Sequence, residues 1–179
     1  GPHVVARAEE FSAVLADKAK VTVQSDDRKS VIQAQGNELA TKAEGRVVWK
    51  DSLLDEVAGL VEHPRVILGD FDPTMLEIPR EALLTCMESH QKSFGVEDES
   101  GKLLPHFIST LNMEPKDPAV VKKGWERVLK ARLEDARFFW NTDLKSTIDE
   151  WTKLLDNVIY LGPLGSMGDK SRRIEALCR

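Results

Sequence analysis

The chain has 179 residues, 41% of them hydrophobic, enough for one domain with a real core, or one domain plus a helical appendage, without disulfide staples. No apolar run approaches the roughly 20 residues needed to span a bilayer, and the composition reads as that of a soluble protein. A formal charge of −5 excludes nucleic-acid binding by bulk electrostatics and leaves room only for a local cationic surface. Cys86 and Cys178 form no close-spaced metal or redox motif and read as buried free thiols in a reducing compartment.

In chain order, Gly1-Pro2-His3 lacks an initiator methionine and reads as the remnant of a cleaved tag. Residues 4–20 carry Val5, Ala8, Phe11, Leu15 and Ala19 at helical spacing, and residues 20–24 give a short strand signal around Val21 and Val23. Ser25 is a suitable N-cap for a second helix to about Ala43, which Gly45 ends. Residues 4–50 are thus expected to form a helical arm with a short strand, packed on the main body or on a partner. Asp51 opens a third helix that His63-Pro64 terminates, because a residue before proline is biased away from helical angles.

Residues 66–71 and 75–78 then read as strands on either side of the turn Asp72-Pro73-Thr74. Pro79 starts a helix through Met87, and residues 94–96 and 103–111 bracket a hairpin connection at residues 97–101. Asp117 and Pro118 supply the cap and first-turn proline of a long helix. At residues 169–179, Asp169 or Ser171 caps a helix whose C-terminal signal is not reached, as expected of a piece of something longer. The fold class is α+β: an antiparallel sheet interleaved with helices, an N-terminal helical arm and a long helix in the C-terminal half.

The long helix carries the most information. At about 100° per residue, Val121, Trp125, Val128, Leu129, Ala136, Phe139 and Trp140 share one face, and Lys123, Arg127, Lys130, Glu134 and Arg137 share the opposite one. The cationic row Lys123, Arg127, Lys130 and Arg137 extends over about 20 Å and suits a phosphate backbone; the alternative is an ordinary solvated face with helical pairs such as Lys130 to Glu134. Arg132 falls in the apolar face, where a guanidinium needs a partner. A structural ion pair with Asp135, or with Asp143, is the expectation, with snorkelling to solvent as the alternative.

No constellation for chemistry emerges. His3, His63, His90 and His106 are scattered without metal-ligand spacing, and Gly101-Lys102 lacks a phosphate-cradling loop around it. The acidic doublets Asp26-Asp27, Asp70-Asp72 and Glu134-Asp135 suit caps, turns and solvated faces. No catalytic residue, metal ligand or cofactor site is assigned to these residues.

Leu53-Leu54-Asp55-Glu56-Val57 through Leu60-Val61-Glu62-His63-Pro64 resembles the LLxEVxxLVExP block of the bacterial heterotetrameric glycyl-tRNA synthetase β-subunit family. Leu76-Glu77-Ile78-Pro79 with Glu81-Ala82-Leu83 resembles its LxxPxEAL block. Gln91-Lys92, Gly101-Lys102-Leu103-Leu104-Pro105 with Phe107-Ile108, and Asn112 follow in family order. Ala131-Arg132-Leu133, Asp135-Ala136 and Phe138-Phe139 are similar to its RARLxDAxFF core, and Leu164-Gly165, Asp169-Lys170 and Arg173-Ile174 to its LGxxxDKxxRI block. Ser93, Gly95 and Trp125 stand where the family usually has Tyr, Pro and Asn.

The resemblance implies an α₂β₂ cytoplasmic enzyme that attaches glycine to its tRNA, with ATP and Mg held by the α subunit. Residues 51–168 would be the editing-like middle region of β, and residues 169–179 the start of an HD-type helical domain. The chain would be a non-catalytic segment contributing tRNA recognition and scaffolding, with glycine tRNA, the α subunit and the rest of β as partners and no membrane. A pure protein-interaction module docking the α subunit, or an editing-like deacylase, are the competing readings.

Overall fold

The computed structural model describes residues 4–179; the expected tag remnant at residues 1–3 lies outside the described residues. The chain divides into two compact units, residues 1–137 and 138–179. The first unit holds a four-stranded antiparallel sheet in the order β1-β3-β4-β2, formed by β1 (Arg46–Val47), β2 (Arg65–Asp70), β3 (Phe94–Glu97) and β4 (Leu103–Leu111). With helices beside it, one of them 26 residues long, the architecture is the expected α+β class.

Alternation along the strands divides the core in two, because successive side chains leave opposite faces. On one face Phe94, Val96 and Ile108 pack against Ile32 and Ala40 of α2 (Ser25–Lys42) and against Leu53, Leu54, Val57 and Ala58 of α3 (Asp51–Leu60). On the other, Leu103 and Phe107 pack against Leu83, Cys86 and Met87 of α4 (Arg80–Gln91) and Leu129 and Leu133 of α5 (Pro118–Asp143). Neighbouring Phe107 and Ile108 therefore anchor different layers, and both are fully buried. Phe107 lies directly across from Gly69, where a Cβ would come within 2.2 Å of its ring. The absence of a side chain there lets the ring cover β2.

The helix α2, expected as the second helix of an arm packed on the main body or on a partner, joins the first layer through Ile32, Gly36 and Ala40. Residues 8–19 form a mixed helical run, Ala8–Glu10 of 3₁₀ type, α1 at Phe11–Val14, and a wide turn at Leu15–Ala19 that Lys20 ends in left-handed geometry. The expected strand around Val21 and Val23 does not form. The Arg28 guanidinium captures the carbonyls of Thr22 and Val23 at 2.8 and 2.6 Å and that of Ala58 at 2.7 Å, so these acceptors serve a side chain instead of a ladder. Residues 75–78 are likewise not a strand: Pro73–Glu77 is a 3₁₀ turn capped by Asp72, whose carboxylate accepts from the Thr74 N–H at 2.9 Å, and it inserts buried Met75 into the second layer.

The second unit contains α6 (Ile148–Leu154), the small hairpin β5 (Ile159–Leu161) with β6 (Gly165–Ser166), and α7 (Met167–Cys178). Its order rests on end groups and ion pairs, since Gly168 is its only buried residue among those described. Thr147 with Glu150 and Ser166 with Asp169 form reciprocal capping boxes, which satisfy donors at both helix starts. Ser166, instead of the expected Asp169 or Ser171, is the α7 cap; Asp169 serves as its third-position acid. Hydrogen bonds from the Ser166 N–H, Arg172 and the Ser166 hydroxyl draw the Asp169 carboxyl down to about 2. Of the two cysteines expected to be buried, Cys86 is buried and Cys178 is exposed.

Candidate nucleic-acid interface

The helix α5 begins where the sequence places it. The Asp117 carboxylate accepts from the Ala119 and Val120 N–H groups at 3.0 and 3.3 Å, and Pro118 occupies the first turn, where its missing N–H costs nothing. Its buried stripe is centred on Leu129 and Leu133, with Trp125 and Ala136 half-buried beside them. That stripe is rotated from the apolar face expected from the sequence: Val128 and Phe139 are exposed, while Lys122 and Glu126 turn inward.

On the inward side, Lys122 and Glu126 meet the end of β2. Lys122 Nζ donates to Asp70 Oδ2 at 2.6 Å and lies 3.6 Å from the Glu126 carboxylate, and Glu126 accepts from the Asp70 N–H at 3.0 Å. His106 Nδ1 meets the other Asp70 oxygen at 2.6 Å. Burial alone would raise the Asp70 carboxyl, but the hydrogen bonds from Lys122 and His106 outweigh it and hold the group below the usual range. The same contact with Asp70 raises Lys122 against the opposing effect of burial.

With Lys122 turned to the sheet, Lys123, Arg127 and Lys130 are exposed on the outer side and Arg137 is half-buried. Lys130 reaches only Glu134, at 3.8 Å, and Lys123, Arg127 and Arg137 make no ion pair among the described residues. Arg127 and Lys130 join Asp70, Phe71, Asp72 and Glu126 around a groove of about 380 Å³. Asp72 is held below the usual carboxylate range chiefly by the Thr74 hydrogen bonds, with a smaller pull from Arg137 and Lys130. The structure thus brings the four cations of the predicted row onto one flank of a single helix.

Arg132 departs from its expected place. It is exposed, and neither Asp135 nor any other carboxylate pairs with it among the described residues. The rotation that brings Lys122 inward carries Arg132 to the edge of the buried stripe, so the guanidinium is solvated and needs no partner. It faces the side of α4 that carries Cys86, whose thiol is pushed up by burial, with Arg132 opposing and Asp135 adding to the rise.

A second concavity escaped the sequence reading. On the α4 flank of α5, His90, Gln91 and Lys92 together with Val121, Gly124, Trp125 and Val128 enclose a cleft of about 550 Å³ with mostly apolar walls. The available signal was Gly124, a helix-interior glycine next to a tryptophan. Among the described residues no group of three or more His, Cys, Asp or Glu side chains is arranged to hold a metal ion, and no helix is long and apolar enough to cross a membrane.

The fold is that of an α+β segment built around one long helix with a cationic flank. A family model described as glycyl-tRNA synthetase beta subunit matches residues 1–179, and the chain belongs to that family. It is 61% identical over 178 residues to the glycine-tRNA ligase beta subunit of Nitratidesulfovibrio vulgaris (strain DP4), covering 99% of this chain and 26% of that protein. The corresponding subunit of Oleidesulfovibrio alaskensis is 60% identical over the whole chain and 26% of its own length, and that of Shewanella baltica 44% identical over 97% and 25%. The chain therefore spans about a quarter of the length of these relatives, and the match supports the subunit resemblance drawn from the sequence blocks.

Proposed function

We propose that this chain is a tRNA-recognition and scaffolding segment of a glycine-tRNA ligase β subunit, acting in the cytoplasm within an enzyme that joins glycine to its tRNA. The observation that carries the tRNA reading is the contrast along α5. Lys122 is neutralised by Asp70 and Glu126, whereas Lys123 and Arg127, one and five positions on, keep their charge free on the outer face. A row of cations over about 20 Å, of which Lys123, Arg127 and Arg137 make no ion pair among the described residues, is suited to phosphates, whose counterions it would displace.

In this reading ATP, with Mg, belongs to the α subunit. The one glycine-containing turn beside a lysine here, residues 98–102, does not fit a nucleotide phosphate. Its Ser100 and Lys102 N–H groups already donate to the Asp98 carboxylate, at 2.9 and 3.0 Å, so the donors a phosphate would need are held by an acid. Nothing on the described surface favours the deacylase alternative.

A photocrosslinker at position 123 or 127 of the full-length β subunit, assembled with its α subunit and glycine tRNA, tests the proposal. Crosslinks to tRNA are expected. Crosslinks confined to α-subunit protein would instead make this face a docking surface.

A further inference from the structure

The cleft between α4 and α5 lies beside the cationic row, and the two differ in what they can hold. Val121, Gly124, Trp125 and Val128 are spaced three and four apart, so they line one flank of α5. Lys123 and Arg127 are the immediate chain neighbours of Gly124 and Val128 on the outer side. Across the cleft stand His90 and Lys92, and Arg132 lies one turn beyond Val128 on the same flank. Of the four lysine and arginine side chains only Lys92 makes an ion pair among the described residues, with Glu56 at 2.8 Å. An apolar, tryptophan-walled hollow ringed by cations is complementary to a flat, uncharged ring carried on a polyanion.

We propose that this cleft receives one unstacked nucleobase of the bound RNA, placed against Trp125 while the flanking phosphates lie along Lys123, Arg127 and Arg132. This inference rests on the tRNA reading above and adds a base-binding position to it. Single-stranded bases are recognised by stacking on aromatic side chains, and a cavity of about 550 Å³ falls in the range of small-ligand sites. Gly124 keeps the mouth open: a Cβ built there meets nothing within 4 Å, so the space beside Trp125 is unfilled by protein. An apolar peptide stripe would also fit the walls, but the free cations at the rim favour the polyanion.

Stacking and phosphate contact respond differently to salt, and this separates the cleft from the row. Phosphate neutralisation sets the slope of log affinity against log salt, whereas stacking shifts the affinity at every salt concentration without changing the slope. Gly124→Leu fills the cleft from its open side without touching the core, and Gly124→Ala fills it partly. In the assembled full-length enzyme with glycine tRNA, Gly124→Leu is expected to weaken tRNA binding roughly tenfold with an unchanged salt slope, and Gly124→Ala by less. Thermal unfolding should show both variants at least as stable as the parent, since each removes the helix penalty of glycine. Undiminished tRNA affinity in Gly124→Leu overturns the proposal while leaving the cationic row intact. A flattened salt slope also overturns it, since the variant would then act through the phosphate contacts. Loss of α-subunit assembly with tRNA affinity preserved overturns it in favour of a protein-docking groove.

Discussion

Lys122 reaches from α5 to Asp70 at the end of β2, with Nζ 2.6 Å from Oδ2, on the side of the helix that buries Leu129 and Leu133. Without this pair Lys122 would be one more cation of a solvated face. Lys123 and Arg127 project outward and Leu129 and Leu133 inward. Both partners are more than a third exposed, so solvent screens the attraction and the pair contributes at most about 1 kcal/mol. Lys122→Ala should lower unfolding free energy by that amount or less, and high salt should shrink the difference, as measured by urea unfolding at low and high ionic strength. A loss of several kcal/mol would mean that the pair acts as a buried charge.

Adjacent residues of α5 should respond in opposite ways. Leu133 is fully buried in the second layer, and Leu133→Ala is expected to cost about 2–5 kcal/mol through lost burial and a residual cavity. Arg132→Leu should shift stability by no more than about 0.5 kcal/mol, because the guanidinium is exposed and unpaired. Comparable losses in the two variants would restore the buried ion pair expected from sequence.

Two glycines give a similar contrast. A methyl at Gly69 would press into the Phe107 ring, so Gly69→Ala should destabilise by about 1–3 kcal/mol, with the ring displaced. Gly124→Ala places its methyl in open space and removes the helix penalty of glycine, so it should stabilise by up to about 1 kcal/mol. Denaturant midpoints of the two variants check both signs.

Acid should unfasten the start of α7. The Asp169 carboxyl is held at about 2 in the folded state, below its unfolded value of about 4. A depressed carboxyl contributes its stability fully above the unfolded value and loses it as pH falls through the folded one, so the contribution fades between about pH 4 and pH 2. Carboxyl-detected NMR titration should place Asp169 at about 2, and Arg172→Ala should move it upward. An Asp169 titrating near 4 in the parent would show that the capping box is not formed in solution.

Much of the fold was readable from local signals: α2, α3 and α5 begin within a residue of their caps, and β2, β3 and β4 follow their apolar runs. The failures share a cause. Val21 and Val23 look like a strand, but the carbonyls of Thr22 and Val23 are taken by Arg28, a choice made by tertiary contact. Residues 75–78 were too short for period alone to decide, and the Asp72 cap selected a 3₁₀ turn. In α5 the bulky Trp125, Val128, Phe139 and Trp140 set the apparent apolar face, while Asp70, the partner that Lys122 meets on the inward side, lies about 50 residues upstream. The cationic row was legible because helical spacing alone groups it; the cleft was not, because half of it belongs to α4.

The central claim is that the outer face of α5 contacts the tRNA backbone. Arg127→Glu with Lys130→Glu in the reconstituted α₂β₂ enzyme tests it through the tRNA KM measured across a salt series. A raised KM and a flatter salt dependence, by roughly two phosphate contacts, are expected, with the glycine and ATP KM values unchanged. An unchanged tRNA KM at every salt concentration would contradict it.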